Sequence, residues 1–192
     1  MATAPHPADE AALESAVSTA LWVWDTLALE IGEIALVTDG HPSSRLVALA
    51  GTWYGASPVF LLSDRDLPAL PGVTLLPAAA DADSSRDLTG RLRQRPGVAA
   101  VELSGRAPAV DLLLEAVPTW SRLMLAGPRV EPFTIDYYVN VHRKGLRLVS
   151  AALDAPRTQA VVREASRLER VRRLLGRPER RQACLRALGA QA

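Results

Sequence analysis

Six short apolar runs divide the chain: Glu33–Thr38, Pro58–Asp64, Val73–Leu76, Val98–Leu103, Arg122–Ala126 and Leu146–Ala151. Most are separated by segments whose apolar residues recur at three and four positions, the spacing of a helix face. Parallel neighbours need such crossovers, whereas antiparallel ones can be joined by a tight turn. Strands alternating with helices of about ten residues therefore predict an α/β protein built on a doubly wound parallel sheet. The runs are apolar almost without interruption, as expected of strands covered by helices on both faces.

The helical expectations run in order. Ala11–Leu29 is the first, with Leu13, Val17, Ala20, Leu21, Trp24 and Leu27 on one side. Trp22 and Trp24 cannot share a helix face, so one is expected half exposed or turned to a partner, unless both serve core and rim packing. Ser44–Tyr54 is the second. A third is capped by Asp83 or Ser84 and runs to about Gln94, before Pro96-Gly97. Pro108–Val117 tolerates its proline in the first turn. Phe133–Arg143 is a further helix, with Tyr138 and His142 sharing a face. Arg157–Leu175 is amphipathic and Glu179–Leu188 is shorter, with Gly176-Arg177-Pro178 breaking the two. The expected organisation is a tail at 1–10, a sheet domain at 11–155 and a C-terminal helical extension at 156–192.

Composition narrows the chemistry. The chain has 192 residues, enough for one domain with a full core. No apolar run reaches the ~18 residues that span a membrane. The first ten residues lack the basic start and apolar stretch of a secretory signal, so the expected location is cytoplasmic. Cys184 is the single cysteine, and His6, His41 and His142 are far apart, so neither a disulfide nor a zinc site is expected. From Arg157 onward ten arginines face three glutamates, a net charge of +7, while the first 156 residues carry −6. No aromatic residue is interleaved with those arginines, as a single-strand nucleic-acid platform would require, so neither nucleic acid nor membrane is expected as a partner.

The βαβ stretch Glu33–Asp66, together with "GEIALVTDGHPSSRLVALA", "VFLLSDRD", "VAAVELSGRAPAVDLLLEAV" and "SRLMLAGPRVEPFTIDYYVNVHRKGLRLVSA", resembles the cofactor domain of medium-chain dehydrogenases, the zinc-type alcohol and polyol dehydrogenase superfamily. The match runs over Glu10–Ala151. It implies a Rossmann-like six-stranded sheet in the order 3-2-1-4-5-6. The family's catalytic domain, which supplies the zinc ligands and most of the substrate pocket, has no counterpart in these residues. The family's G-x-G-x-x-G/A becomes Asp39-Gly40-His41-Pro42-Ser43-Ser44. Those glycines allow the tight turn, the approach of backbone to pyrophosphate and close helix packing. Asp39 places a negative charge where phosphate would lie, and His41 puts an imidazole at the close-approach position. Ser44 is small enough to serve. Asp64 stands twenty residues later, at the offset of the acid that binds the ribose hydroxyl. Arg65 beside it permits a 2′-phosphate, which Asp64 opposes.

Open α/β sheets bind ligands outside the carboxyl ends of their strands. The residues expected there are Asp39, Gly40, His41, Pro42, Ser43 and Ser44 after strand one, Asp64 after strand two, Ser104 and Gly105 after strand four, and Gly127, Pro128 and Arg129 after strand five. Three functions remain open. The first is non-redox acid–base chemistry on a small metabolite by Asp39, His41 and Asp64, such as dehydration, isomerisation or cyclisation. The second is NAD(P)-dependent oxidoreduction completed by a partner. The third is a non-catalytic dimeric scaffold. The resemblance further implies a homodimer in which Leu146–Ala151 pairs with its symmetry mate.

Overall fold

The structure is a computed structural model and describes residues 7–78, 82–93, 97–128, 132–151, 153 and 161–189. Its strands are β1 (Ile34–Thr38), β2 (Val59–Leu62), β3 (Val73–Leu76), β4 (Val98–Glu102), β5 (Arg122–Leu125) and β6 (Arg147–Ser150). They form one six-stranded sheet in the order β3-β2-β1-β4-β5-β6, and every neighbouring pair is parallel. This is the doubly wound order implied by the resemblance. The helices are α1 (Pro7–Leu27), α2 (Ser44–Trp53), α3 (Ala82–Leu92), α4 (Ala107–Ala116), α5 (Val161–Leu175) and α6 (Pro178–Ala187).

The period-two alternation of strand side chains sorts the core into two layers. Ala35, Val37, Val59, Leu61, Ala99, Val101 and Met124 face one side and pack with buried residues of α1, α2, α5 and α6. Ile34, Leu36, Phe60, Leu62, Val98, Ala100 and Leu123 face the other and meet α3 and α4. All residues of β1, β2 and β4 are buried, which explains their unbroken apolar character.

The deepest anchor of the first layer is Trp24. It is fully buried, and its indole Nε1 donates to the Val47 carbonyl at 2.8 Å, joining α1 to α2. Trp22 is buried as well, with 8% of its surface exposed, so both tryptophans serve core and rim packing and neither is half exposed. Trp22 belongs to the same buried layer as Trp24, and α5 packs along α1.

Several boundaries differ from the sequence reading. α1 begins at Pro7, inside the expected tail, and ends at Leu27, after which Ala28 has a φ of +51°. Asp83 and Ser84 lie within α3 rather than before it. The segment expected as a helix over 133–143 is irregular up to Asp136. It then forms a single π-helical stretch, Tyr137–His142, capped by the Asp136 carboxylate accepting from the Val139 N–H at 3.0 Å. Tyr138 and His142 do share a face there, with rings stacked 5.5 Å apart. The start of the expected helix at Arg157, and Arg129, lie outside the described residues.

Candidate functional site

The order of the sheet reverses between β1 and β4, and this is where the carboxyl ends of the strands leave space. A crevice of about 410 Å³ opens there. Asp39 and Gly40 enter it from the end of β1, Ser63, Asp64 and Arg65 from the end of β2, and Ser104 and Arg106 from the end of β4. Leu62, Ala78, Pro108, Ala109 and Leu112 add an apolar wall. Of the residues expected from sequence, Asp39, Gly40, Asp64 and Ser104 line this crevice. His41, Pro42, Ser43, Ser44, Gly105, Gly127 and Pro128 surround it without forming its lining.

Asp39 is not a free charge. The Arg65 guanidinium grips its carboxylate, with Nε at 2.9 Å from Oδ2 and the terminal nitrogen at 2.8 and 2.7 Å from the two oxygens. Ser63 Oγ donates to Oδ2 at 2.8 Å, and the Gly40 N–H donates to Oδ1 at 2.9 Å. The Asp39 side chain retains 6% exposure. Arg65 is thereby committed to Asp39 rather than standing beside Asp64 to receive a 2′-phosphate. Asp64 itself is exposed, and its Oδ1 accepts from the Ala78 N–H at 3.1 Å.

Groups within the turn after β1 bond one another. His41 Nδ1 accepts from the Ser43 N–H at 3.1 Å, which requires that nitrogen to be unprotonated. Ser44 Oγ accepts from the His41 N–H at 3.0 Å and donates to the His41 carbonyl at 2.7 Å. The Ser44 N–H also bonds that carbonyl, at 2.9 Å. Donors at a helix start are what makes it an anion site. Here two of them are satisfied by His41.

Backbone proximity closes the other half. Gly40 has a φ of +143°, and a Cβ there would lie 2.6 Å from Ser104 Cα. A Cβ on Gly127 would lie 2.5 Å from the Leu103 carbonyl carbon. The turns after β1, β4 and β5 therefore touch through their glycines. The opening that remains lies over β2.

Glu102, at the end of β4, is the residue that sequence reasoning missed. It is 2% exposed. Its Oε1 accepts from Thr38 Oγ1 at 3.2 Å, from the Ser104 N–H at 2.7 Å and from Ser104 Oγ. The Gly105 N–H approaches both carboxylate oxygens at 3.1 Å. Thr38 Oγ1 in turn accepts from the Leu103 N–H at 2.8 Å. This network ties β1 to β4 across the point where the sheet reverses. The signal available in sequence is a lone carboxylate inside the otherwise apolar run Val98–Leu103, followed by Ser-Gly. A charge on a strand buried on both faces must be satisfied by donors.

No protein-family model matches the sequence, and no curated protein sequence matches it. Its fold does match solved structures. Galactitol-1-phosphate dehydrogenase from Escherichia coli shares it with a TM-score of 0.69 at 16% identity, over 91% of this chain and 51% of that one. The 2R,3R-butanediol dehydrogenase from Bacillus subtilis matches with a TM-score of 0.67 at 15% identity, over 93% and 52%. An alcohol dehydrogenase from Thermus sp. ATN1 matches with a TM-score of 0.67 at 19% identity, over 89% and 49%. The chain spans about half the length of the solved structures it matches. Its fold is that of the Rossmann-like domain of zinc-type, medium-chain alcohol dehydrogenases.

Proposed function

We propose that the chain binds a small hydroxylated metabolite in the crevice over β2 and acts on it by acid–base chemistry rather than hydride transfer. The observation that carries this reading is the contrast within one site. The turn that would hold pyrophosphate is filled by His41 and by the contact of Gly40 with Ser104, while about 410 Å³ beside it stays open. The apolar wall of Leu62, Pro108 and Leu112 suits the body of a ring or short chain. Asp64 is the acid–base group of this reading. One of its oxygens takes the Ala78 N–H, leaving acceptor capacity for a substrate hydroxyl. Asp39, held by Ser63 and Arg65 from the end of β2, and His41, engaged within its own turn, hold the shape of the site as positioning residues. Dehydration, isomerisation and cyclisation are the reaction types that such a site serves without a redox cofactor.

The test is a comparison of metabolites between cells carrying the intact gene and cells carrying Asp64→Asn. The reading expects an accumulating compound that differs from the depleted one by the elements of water, or not at all in composition. A pair differing by two hydrogens contradicts it and favours the oxidoreductase alternative.

A specific observation supports a homodimer as well. Among the described residues, β6 pairs with β5 alone and its other edge has no strand partner. Trp120 is 82% exposed and its N–H bonds the Lys144 carbonyl just before that strand. An unpaired edge flanked by apolar surface favours pairing with a second copy.

A further inference from the structure

A second cavity, of about 210 Å³, lies away from the crevice on the other side of α2. Leu21 of α1, Trp53 and Tyr54 at the end of α2, and Leu174 give it an apolar floor, and four arginines surround it: Arg170 and Arg173 of α5, Arg177 in the break, and Arg180 of α6. The carboxylates of α1 and α5 beside it are engaged, and Glu179 in the first turn of α6 pairs with no arginine among the described residues. Asp25 accepts from the Tyr54 hydroxyl and pairs with Arg167 at 3.4 Å and Arg170 at 3.0 Å. Glu169 pairs with Arg173 at 3.0 Å, Glu14 with Arg172 at 3.7 Å, and Glu10 with Arg181 at 2.8 Å. Among the described residues, Arg177 and Arg180 have no carboxylate partner.

We propose that this cavity is a binding site for a phosphate monoester with an aromatic or apolar body, distinct from the crevice. A carboxylate is satisfied by one guanidinium fork, whereas a phosphate dianion offers three acceptor oxygens and twice the charge, which two unpaired arginines match. The aromatic side chains Trp53 and Tyr54 supply a surface for the body of the ligand; Arg170 already lies over the Tyr54 ring at 5.1 Å. The concavity is sized for a small molecule rather than for a polymer backbone. Arg167, Arg170, Arg172, Arg173 and Arg181 serve the fold through their ion pairs, and Arg177 and Arg180 acquire a role on this proposal.

The probe is phenyl phosphate, with benzoate, inorganic phosphate and a short single-stranded oligonucleotide as comparisons, each titrated into the full chain by calorimetry. Phenyl phosphate is expected to saturate a single site and to bind about tenfold or more tighter than benzoate or inorganic phosphate, the worth of one charge-assisted contact or of a buried ring. The double variant of exposed Arg177 and half-buried Arg180, Arg177→Gln/Arg180→Gln, is expected to weaken it by about tenfold or more, and the single Arg177→Gln by an intermediate factor, with unchanged circular dichroism. Arg106→Gln, in the crevice, is expected to leave it unaltered. Absence of saturable binding, equal affinity for benzoate, an unchanged double variant, or tighter binding of the oligonucleotide overturns the proposal.

Discussion

The Arg65 guanidinium spans the carboxylate of Asp39, contacting both oxygens within 2.9 Å, and so ties the end of β2 to the end of β1. The charge that sequence places at the phosphate position is neutralised from within. Because the Asp39 side chain is almost wholly covered, removing its partner strands a buried charge. Arg65→Met is expected to destabilise the fold by about 2 kcal/mol in urea unfolding, and adding Asp39→Asn to recover part of that loss. Additive effects of the two substitutions would show that the pair is uncoupled.

Glu102→Ala is expected to cost more, about 3 kcal/mol. It leaves the Ser104 and Gly105 N–H groups and the Thr38 hydroxyl without their acceptor in a buried site. Glu102→Gln keeps one acceptor oxygen and is expected to cost less. Thermal unfolding of the two variants, with the midpoint of Glu102→Ala below that of Glu102→Gln, is the check.

Alkaline pH is expected to weaken the protein. Burial raises the Cys184 thiol from 9.0 to about 11. Burial, followed by the hydrogen bond to Asp25, pushes the Tyr54 hydroxyl well above its ordinary 10. In both cases the folded state holds its proton more tightly than the unfolded chain. The stabilisation is complete below pH 9 and is lost as pH rises through the folded values. The unfolding free energy from urea titration is therefore expected to be flat in the Cys184 contribution up to about pH 9 and to fall above it, by about 2–3 kcal/mol from this group. Cys184→Ala removes that part of the slope. The same burial makes the thiol inert to thiol reagents in the native protein.

The Arg147 N–H donates to the Ser121 carbonyl and the Ala151 N–H to the Leu125 carbonyl. Alternation then points the N–H groups of Leu148 and Ser150 toward the open edge of β6. Ser150→Pro removes an outward donor and leaves the β5 pairing intact. Light scattering is expected to show a dimer for the parent chain and a monomer for this variant. A parent chain that is monomeric removes the β6 interface.

The six strands and most helices were legible because alternation of apolar runs with helical periodicity reports burial on both sheet faces; the strand order came from the family resemblance. The fully buried strands β1, β2 and β4 carry that signal most cleanly. Core and rim packing of both Trp22 and Trp24 was legible too, although their spacing alone left a partner-facing tryptophan open. The π-helix at Tyr137–His142 escaped that signal because side-chain periodicity cannot separate π from α over six residues. The position of Asp39 was legible, but its electrostatic state was not. Arg65 could be read as a phosphate ligand beside Asp64, and only the three-dimensional turn shows which carboxylate it takes. Glu102 was hidden because its donors come from two segments far apart in sequence, Thr38 and the Ser104-Gly105 turn.

The central claim is that a dehydrogenase-type fold here has its pyrophosphate turn closed and its neighbouring crevice open. Calorimetric titration of the chain with NADH and NADPH tests it most directly. The account predicts no saturable heat with either nucleotide. Saturable binding of one of them at one site per chain, weakened by Asp64→Ala, would contradict it and restore the dinucleotide to the crevice.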